Sequence, residues 1–364
     1  MAQVGEKFYR LLYDWYAVNH RVLPWRETTD PYLIWLSEVI LQQTRVAQGL
    51  EYYDRFVSTY PTVTDLAAAD EADVLRLWQG LGYYSRARNL HKAARMIAAA
   101  YQPSLADSAA GGFPRTYAEL RALPGVGDYT AGAIASFAYD QPYPALDGNI
   151  YRVLSRLNDC DLPFDTSAGK KYFHRLADEL LDREHPRLFN SAIMEFGALY
   201  CVPSSPDCSS CPVRDFCRAW AAGTVNLLPV RKPRPTLRDR YFSYTIYITP
   251  KRRTLIHRRT AKDIWQHLYE FPLVEHQSQA EWQNYKPSAA SSEMSNVKYH
   301  ISNITHVLSH QRLHAHFYLV PVNELPILPD TIAVTWEELD HYALSRLTLK
   351  AIESLPDELS ANLG

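Results

Sequence analysis

The sequence predicts two domains, an all-α domain followed by a smaller α+β domain, and three observations carry that expectation. The chain has 364 residues, more than one ordinary hydrophobic core organises. Over residues 6–222 apolar side chains recur at three- and four-residue spacing among Ala, Leu and Arg, the period of amphipathic helices. After a Pro-rich and basic segment at 229–235 the period changes, and residues 241–248, 254–259, 297–304 and 314–322 are rich in β-branched and aromatic side chains, as half-buried strands are.

The elements follow in order. Phe8, Leu11, Leu12 and Trp15 form one helical face, and Ile34, Ser37, Glu38, Leu41, Gln42 and Arg45 form another. Pro61, Pro103, Pro114 and Pro124 punctuate between helices. Residues 337–355 read as a closing helix. The expected organisation is residues 1–225, a linker at 226–240, and residues 241–364. No internal repeat of solenoid period is present.

Composition sets the class: 47% hydrophobic, 12% aromatic and 21% charged residues describe a soluble globular protein, and no apolar run approaches membrane-spanning length. The first residues, Met-Ala-Gln-Val-Gly-Glu-Lys, pass straight into an amphipathic stretch without a signal core, so the expected location is cytosolic. With 38 basic against 40 acidic residues, net −2, the chain is not a simple polyanion binder, and any nucleic-acid surface must be local. The best basic cluster is Arg231, Lys232, Arg234, Arg238 and Arg240, interleaved with Pro233 and Pro235; its plain reading is a solvated linker.

Cys201, Cys208, Cys211 and Cys217 fall within seventeen residues as C-x6-C-x2-C-x5-C. Four clustered soft thiolates in a chain without a secretion signal suit zinc or an iron-sulfur cluster, with two disulfides as the remaining alternative. Cys160 stands apart and reads as a buried or incidental thiol.

Leu123-Pro124-Gly125-Val126-Gly127 separates two helical segments, 116–122 and 129–138. Gly125, Val126 and Gly127 offer backbone N–H groups with little side-chain hindrance, and the following helix N-terminus adds partial positive charge, so the turn suits a phosphate. A purely structural turn explains the pattern as well.

Glu38 lies mid-helix among apolar residues, where burial would raise its pKa. Asp147 opens Asp147-Gly148-Asn149-Ile150, an N-cap position at which a carboxylate accepts backbone bonds and stays ionised. A proton donor and a standing anion are what glycosidic cleavage requires. The plain alternative is a surface glutamate and a helix cap.

Together the glycine turn, the aspartate about twenty residues after it and the cysteine spacing resemble the helix-hairpin-helix DNA glycosylase superfamily. Ser37-Glu38-Val39-Ile40-Leu41-Gln42-Gln43-Thr44, Gly80-Leu81-Gly82-Tyr83-Tyr84-Ser85-Arg86-Ala87-Arg88-Asn89-Leu90 and Leu146-Asp147-Gly148-Asn149 look like the adenine DNA glycosylases within it. The resemblance spans the chain and implies a helix-hairpin-helix glycosylase domain with a 4Fe-4S cluster loop at 201–217, followed by a Nudix-like α+β domain. It implies that Cys201, Cys208, Cys211 and Cys217 hold the cluster in a structural and DNA-sensing role.

It implies further that Glu38 protonates adenine and then activates water, while Asp147 stabilises the sugar cation, as an anion or covalently. Asn149 and Tyr129 would support the two acids, and Arg26 would contact adenine flipped from the duplex. Gln43, Leu81 and Tyr83 would wedge into the gap and probe 8-oxoguanine, though core packing also accounts for them. Residues 265–272, with Leu-Tyr-Glu-Phe-Pro, resemble the signature of the recognition domain, and His306-Val307-Leu308-Ser309-His310 its lesion loop, with Ser309 and His310 touching 8-oxoguanine. Leu308 stands where the family usually has Phe, and the Glu-rich box of Nudix hydrolases is missing between Pro272 and Val297, so no pyrophosphatase activity is expected.

The expected partner is double-stranded DNA with adenine opposite 8-oxoguanine or guanine, bound by a monomer associated with the bacterial nucleoid through that DNA. The rival within the superfamily, an endonuclease III-like enzyme, cuts through a lysine Schiff base; Tyr129 occupies that place here, so a monofunctional glycosylase is expected. A non-catalytic DNA-binding or redox protein is the rival outside it, and Glu38 and Asp147 speak against it.

Overall fold

In a computed structural model of the protein, the described residues are 2–100, 112–233, 236–287 and 299–355. Of the sequence features above, Pro103, Arg234, Pro235 and Val297 lie outside them. The chain divides into two compact units, Met1–Ala68 with Asn89–Pro233, and Ala69–Arg88 with Arg234–Gly364. Periodicity alone does not show that residues 69–88 group with the C-terminal part.

The helices in chain order are α1 (Ala2–Asn19), α2 (Pro31–Leu41), α3 (Val46–Thr59), α4 (Val63–Ala68), α5 (Glu71–Leu77), α6 (Ser85–Ala100) and α7 (Tyr117–Ala122). There follow α8 (Asp128–Tyr139), α9 (Gly148–Asn158), α10 (Ser167–Leu180), α11 (Pro186–Leu199), α12 (Arg218–Ala222), α13 (Gln279–Asn284) and α14 (Arg346–Glu353). In the first unit α8 is the central helix. Thr130 through Phe137 are all buried, the pattern of a helix covered on every side, and it packs against α2, α7 and α11. Its small residues permit this closeness: a Cβ on Gly132 would stand 2.5 Å from the carbonyl oxygen of Pro144.

Helix α2 starts cleanly because Asp30 Oδ1 accepts from the Tyr32 N–H at 2.8 Å and Pro31 occupies the first turn. It does not run on to Arg45. The face expected through Gln42 and Arg45 is broken after Leu41: Gln43 takes a left-handed φ of 57°, and Arg45 caps α3. The physical reason is that α3 folds back against α2, with Gly49 admitting the Leu41 side chain.

Helix α9 packs against α10, α11 and α12. Its start is located by α11, where Gly197 meets Asn149 so closely that an added Cβ would lie 2.8 Å from the Asn149 Cβ. Arg152 Nη2 donates to the Gly197 carbonyl at 2.5 Å across the same contact.

The second unit holds strands β1 (Arg238–Ile248), β2 (Arg253–Arg258), β3 (Tyr269–Glu270), β4 (Leu273–His276), β5 (Tyr299–Val307), β6 (Gln311–Pro321) and β7 (Thr331–Thr335). They form a four-stranded sheet in the order β4-β1-β6-β5 and a three-stranded sheet in the order β3-β2-β7. Strands β1 and β6 run parallel and the other pairs antiparallel. Phe242, Tyr244, Ile246, Phe271, Phe317 and Leu347 lie in the core between sheet and helix. The short β3, β4 and β7 had no sequence signal strong enough to predict them. The expected helix 337–355 is interrupted: a 3-10 turn at Glu337–His341 ends at Tyr342, and α14 begins only after Ser345, whose Oγ accepts from the Thr348 N–H.

The solvated-linker reading fails at Arg240. That residue lies in β1, 8% exposed, with Nη2 2.8 Å from Asp263 and 2.7 Å from Glu275. A buried guanidinium is tolerated because both neighbours are carboxylates.

Replacing Gly197 by Ala should force α9 and α11 apart and lower stability by about 1–3 kcal/mol. Calorimetry beside Gly127→Ala, where nothing stands within 4 Å of the added Cβ, is the comparison; equal melting temperatures would show that the helix contact is not limiting.

Candidate active site

Packing of α8 on α2 brings the Tyr129 hydroxyl to 2.5 Å from Glu38 Oε2, to which it donates. Glu38 is 6% exposed. Burial pushes its carboxyl up to about 7, while the Tyr129 bond and the Arg26 charge pull down and the charge of Asp147 pushes up again. Burial and the same two carboxyls hold the Tyr129 phenol well above its ordinary value.

Asp147 is the N-cap of α9. Its Oδ1 accepts from the Ile150 N–H at 2.7 Å and its Oδ2 from Asn149 Nδ2 at 2.7 Å. Asn149 is itself oriented, because Arg152 Nη2 donates to its Oδ1 at 2.9 Å. Burial nevertheless pushes the Asp147 carboxyl above its ordinary value, opposed by these bonds and by Arg152. The sequence showed only the capping bonds, which lower the value.

Arg26, Glu38, Gln43, Tyr129, Asp147 and Asn149 line a single cleft of about 540 Å³. They come from positions 26 to 149 of the sequence and meet only in the fold. Arg26 stacks its guanidinium 5.5 Å above the Phe137 ring and donates to Met194 Sδ at 3.3 Å.

The same cleft contains a pair that the sequence reading missed. Arg21 donates to Glu195 from Nε at 2.6 Å, from Nη2 at 2.9 Å and from its backbone N–H at 3.1 Å. Glu195 is 1% exposed, yet its carboxyl is held below the ordinary range: burial raises it, and the bonds and charge of Arg21 overcome that. An acid among apolar helical residues, Ile193-Met194-Glu195-Phe196, was the available signal, the same one that marked Glu38.

The glycine turn joins α7, which carries a Thr116–Glu119 capping box, to α8. Gly125 has φ 79°, where a side chain would be strained and its Cβ would touch Asn89. Val126 is buried, whereas nothing lies within 4 Å of a Cβ at Gly127, and no side chain caps the α8 N-terminus there. Arg121 bonds the Val126 carbonyl and the Asp128 carboxylate, which fixes the turn and offsets the acid charge beside an open helix N-terminus.

Cys201, Cys208, Cys211 and Cys217 all line one small pocket of about 30 Å³ together with Arg156 and Trp220. Arg156 Nη1 donates to Cys201 Sγ at 3.3 Å. None of the five cysteines is paired in a disulfide. Among the described residues no three His, Cys, Asp or Glu side chains stand close enough to hold a metal ion, so the sulfurs share a pocket without closing into a ligand set. The four soft donors and the neighbouring guanidinium suit a thiolate-ligated group of net negative charge.

In the second unit Leu81 is 8% exposed and Tyr83 48%. Ser309 and His310 are exposed in the turn between β5 and β6, closed by the Leu308 N–H to the Gln311 carbonyl at 2.8 Å. The hydroxyls of Tyr83 and Ser309 lie 2.7 Å apart.

Comparison with known proteins bears on this geometry. Residues 36–178 match the family model described as HhH-GPD superfamily base excision DNA repair protein, and residues 243–354 match that of the NUDIX domain. An adenine DNA glycosylase of Rattus norvegicus is 33% identical over 93% of this chain and 76% of its own length. That of Buchnera aphidicola subsp. Baizongia pistaciae (strain Bp) is 29% identical over 92% of each. A thermostable thymine-DNA glycosylase structure superposes with a TM-score of 0.51 at 26% identity, over 61% of this chain and 98% of that one.

The Glu38 carboxyl, followed by carbon-13 NMR, should titrate near 7, and Tyr129→Phe should move it higher because the lost bond favoured the charged form. Linkage sets the sign for stability. The folded state holds this proton up to about 7 and the unfolded chain only to about 4.5, so stability falls as pH rises between them and the penalty persists above. Glu38→Gln should therefore melt above the parent at pH 8 and lose that advantage below about pH 4.5; a parent at least as stable as the variant at pH 8 would contradict the burial cost.

Proposed function

The chain belongs to the adenine DNA glycosylase family, and from that premise we propose that it hydrolyses the N-glycosidic bond of adenine paired with 8-oxoguanine or guanine, without cutting the strand. The observation that carries this reading is the pairing of Glu38, protonated near neutral pH and held by Tyr129, with Asp147 in the same cleft. Base excision needs the leaving adenine protonated and the sugar cation stabilised. Glu38 supplies the proton to a ring nitrogen as the bond from the sugar breaks. Asp147, oriented by Asn149 and Arg152, faces the positive charge that develops on the sugar. Water then adds to the sugar and gives a proton back to Glu38, which restores the acid.

The cleft size suits a base turned out of the duplex, with Arg26 over its edge. Gly125, Val126 and Gly127 approach the DNA backbone, a contact that positions without reading sequence. Gln43, Leu81, Tyr83, Ser309 and His310 read the opposite base, of which the polar side chains suit the oxidised imidazole edge of 8-oxoguanine; Leu81, buried here, leaves its packing to do so. Tyr129 spends its hydroxyl on Glu38 in the place where a strand-cutting relative needs a lysine, which supports monofunctional chemistry. The chemistry falls to residues 1–225, and lesion reading is shared between Gln43, Leu81 and Tyr83 there and Ser309 and His310 in 241–364. The protein acts as a monomer in the bacterial cytoplasm. No helix of the described residues is long and apolar enough to cross a membrane.

Cys201, Cys208, Cys211 and Cys217 would hold a 4Fe-4S cluster, with Arg156 of α9 donating to the Cys201 sulfur beside it. Such a cluster would supply a structural and DNA-sensing charge centre, and no step of adenine release is routed through it.

Glu38→Gln and Asp147→Asn should each lower single-turnover adenine release by roughly a thousandfold or more while duplex affinity stays nearly unchanged, since both groups act on the transition state. Release should occur opposite 8-oxoguanine and guanine and not opposite cytosine or thymine, with strands intact until alkali is added. Activity of Glu38→Gln within tenfold of the parent would remove the assignment.

Anaerobically purified protein should carry about four irons and four sulfides per chain, and Cys211→Ser should lose most of both. Stoichiometric zinc in their place would overturn the cluster.

A further inference from the structure

Residues 80–83 form an unusual backbone. Gly80, Gly82 and Tyr83 all have positive φ, at 101°, 72° and 47°, and for a residue as large as tyrosine that conformation persists only when its surroundings enforce it. The enforcing groups come from the same stretch of chain. Arg86, in the first turn of α6, is 9% exposed, and its Nη2 donates to the carbonyls of Leu81 and Gly82, both at 3.3 Å. Its guanidinium lies 5.0 Å from the Trp78 ring centre and 5.7 Å from that of Tyr83. Trp78 Nε1 adds a bond to the Gly82 carbonyl at 3.0 Å, and the Gly80 N–H donates to the Tyr84 hydroxyl at 3.4 Å. A planar cation with several donors reaches two carbonyls and two ring faces at once, which lysine does not.

We propose that Arg86 is the positioning residue for Tyr83, holding its half-exposed ring as a rigid edge that enters the base stack, so that opening a paired duplex depends on a guanidinium which touches neither base. The inference rests on the reading of Leu81 and Tyr83 as the wedge. A loop ordered before binding loses less entropy when it inserts, and that saving is what Arg86 supplies. Burial pulls its pKa down to about 10, so it stays cationic at neutral pH and keeps its hold on the two rings.

The test uses the full chain and two duplexes with adenine opposite 8-oxoguanine, one otherwise fully paired and one with mismatched pairs on either side, where the stack is already open. A 2-aminopurine beside the adenine reports unstacking. Arg86→Met should slow release from the paired duplex by about tenfold or more and weaken the fluorescence rise, yet change release from the open duplex by less than about threefold. Arg86→Lys should fall between parent and Arg86→Met on the paired duplex. Equal slowing on both duplexes would mean general damage to the fold and would overturn the proposal, as would an undiminished rate on the paired duplex. Tyr83→Ala separates the levels: if it slows the paired duplex and Arg86→Met does not, only the inference fails, and if Tyr83→Ala leaves that rate unchanged, the wedge reading fails with it.

Discussion

A carboxyl group taken out of water survives as the neutral acid or gathers donors, and the first unit is arranged so that Glu38 sits between these outcomes. Helix α2 buries it, the Tyr129 hydroxyl on α8 approaches to 2.5 Å, and Arg26 contributes charge without displacing that bond. The resulting value near 7 therefore depends on how closely α2 and α8 pack. Small side chains let α8 be covered closely on every side: Ala131, Gly132, Ala133 and Ala135 are all buried, and Gly132 has no room for even one more carbon beside Pro144.

Glu195 shows what decides the direction. It is as little exposed as Glu38 and lines the same cleft, yet its carboxyl is held below the ordinary range because Arg21 meets it with three donors and the burial cost opposing them is smaller than at Glu38. A bidentate guanidinium outweighs desolvation, whereas one phenolic hydroxyl and a more distant charge do not. Asp147 is intermediate, raised by burial against the cap, Asn149 and Arg152. Each of the three acids is tuned by which donors its helix start or helix neighbour supplies, so the contact of α9 with α11 at Gly197 matters to the chemistry as much as to stability.

In the second unit carboxylates meet arginines instead of a cleft. Asp263 and Glu275 pair with Arg240, and Arg259 joins Asp263 to the buried Glu270, whose Oε2 also accepts from the Tyr244 hydroxyl. These acids are neutralised inside the protein and hold the sheets together. The turn between β5 and β6, by contrast, leaves Ser309 and His310 exposed.

The sequence by itself determined the helical first part, the strands at 241–248 and 254–259, and the two acids Glu38 and Asp147, because a hydrophobic period, a glycine turn, an acid among apolar residues and a cysteine spacing are each local. What it could not decide depends on contacts between distant segments. The break of the Ile34–Arg45 face at Gln43 follows from α3 folding back on α2, and the interruption before α14 from a cap at Ser345 that competes with continued helix. The grouping of 69–88 with the C-terminal part, the burial of Arg240 and the bond of Arg21 to Glu195 join residues 23 to 187 positions apart. Glu38 and Asp147 could be named as acids from their neighbours in the chain, but the proton affinity of each is a property of the walls around it, and only the tertiary structure builds those walls.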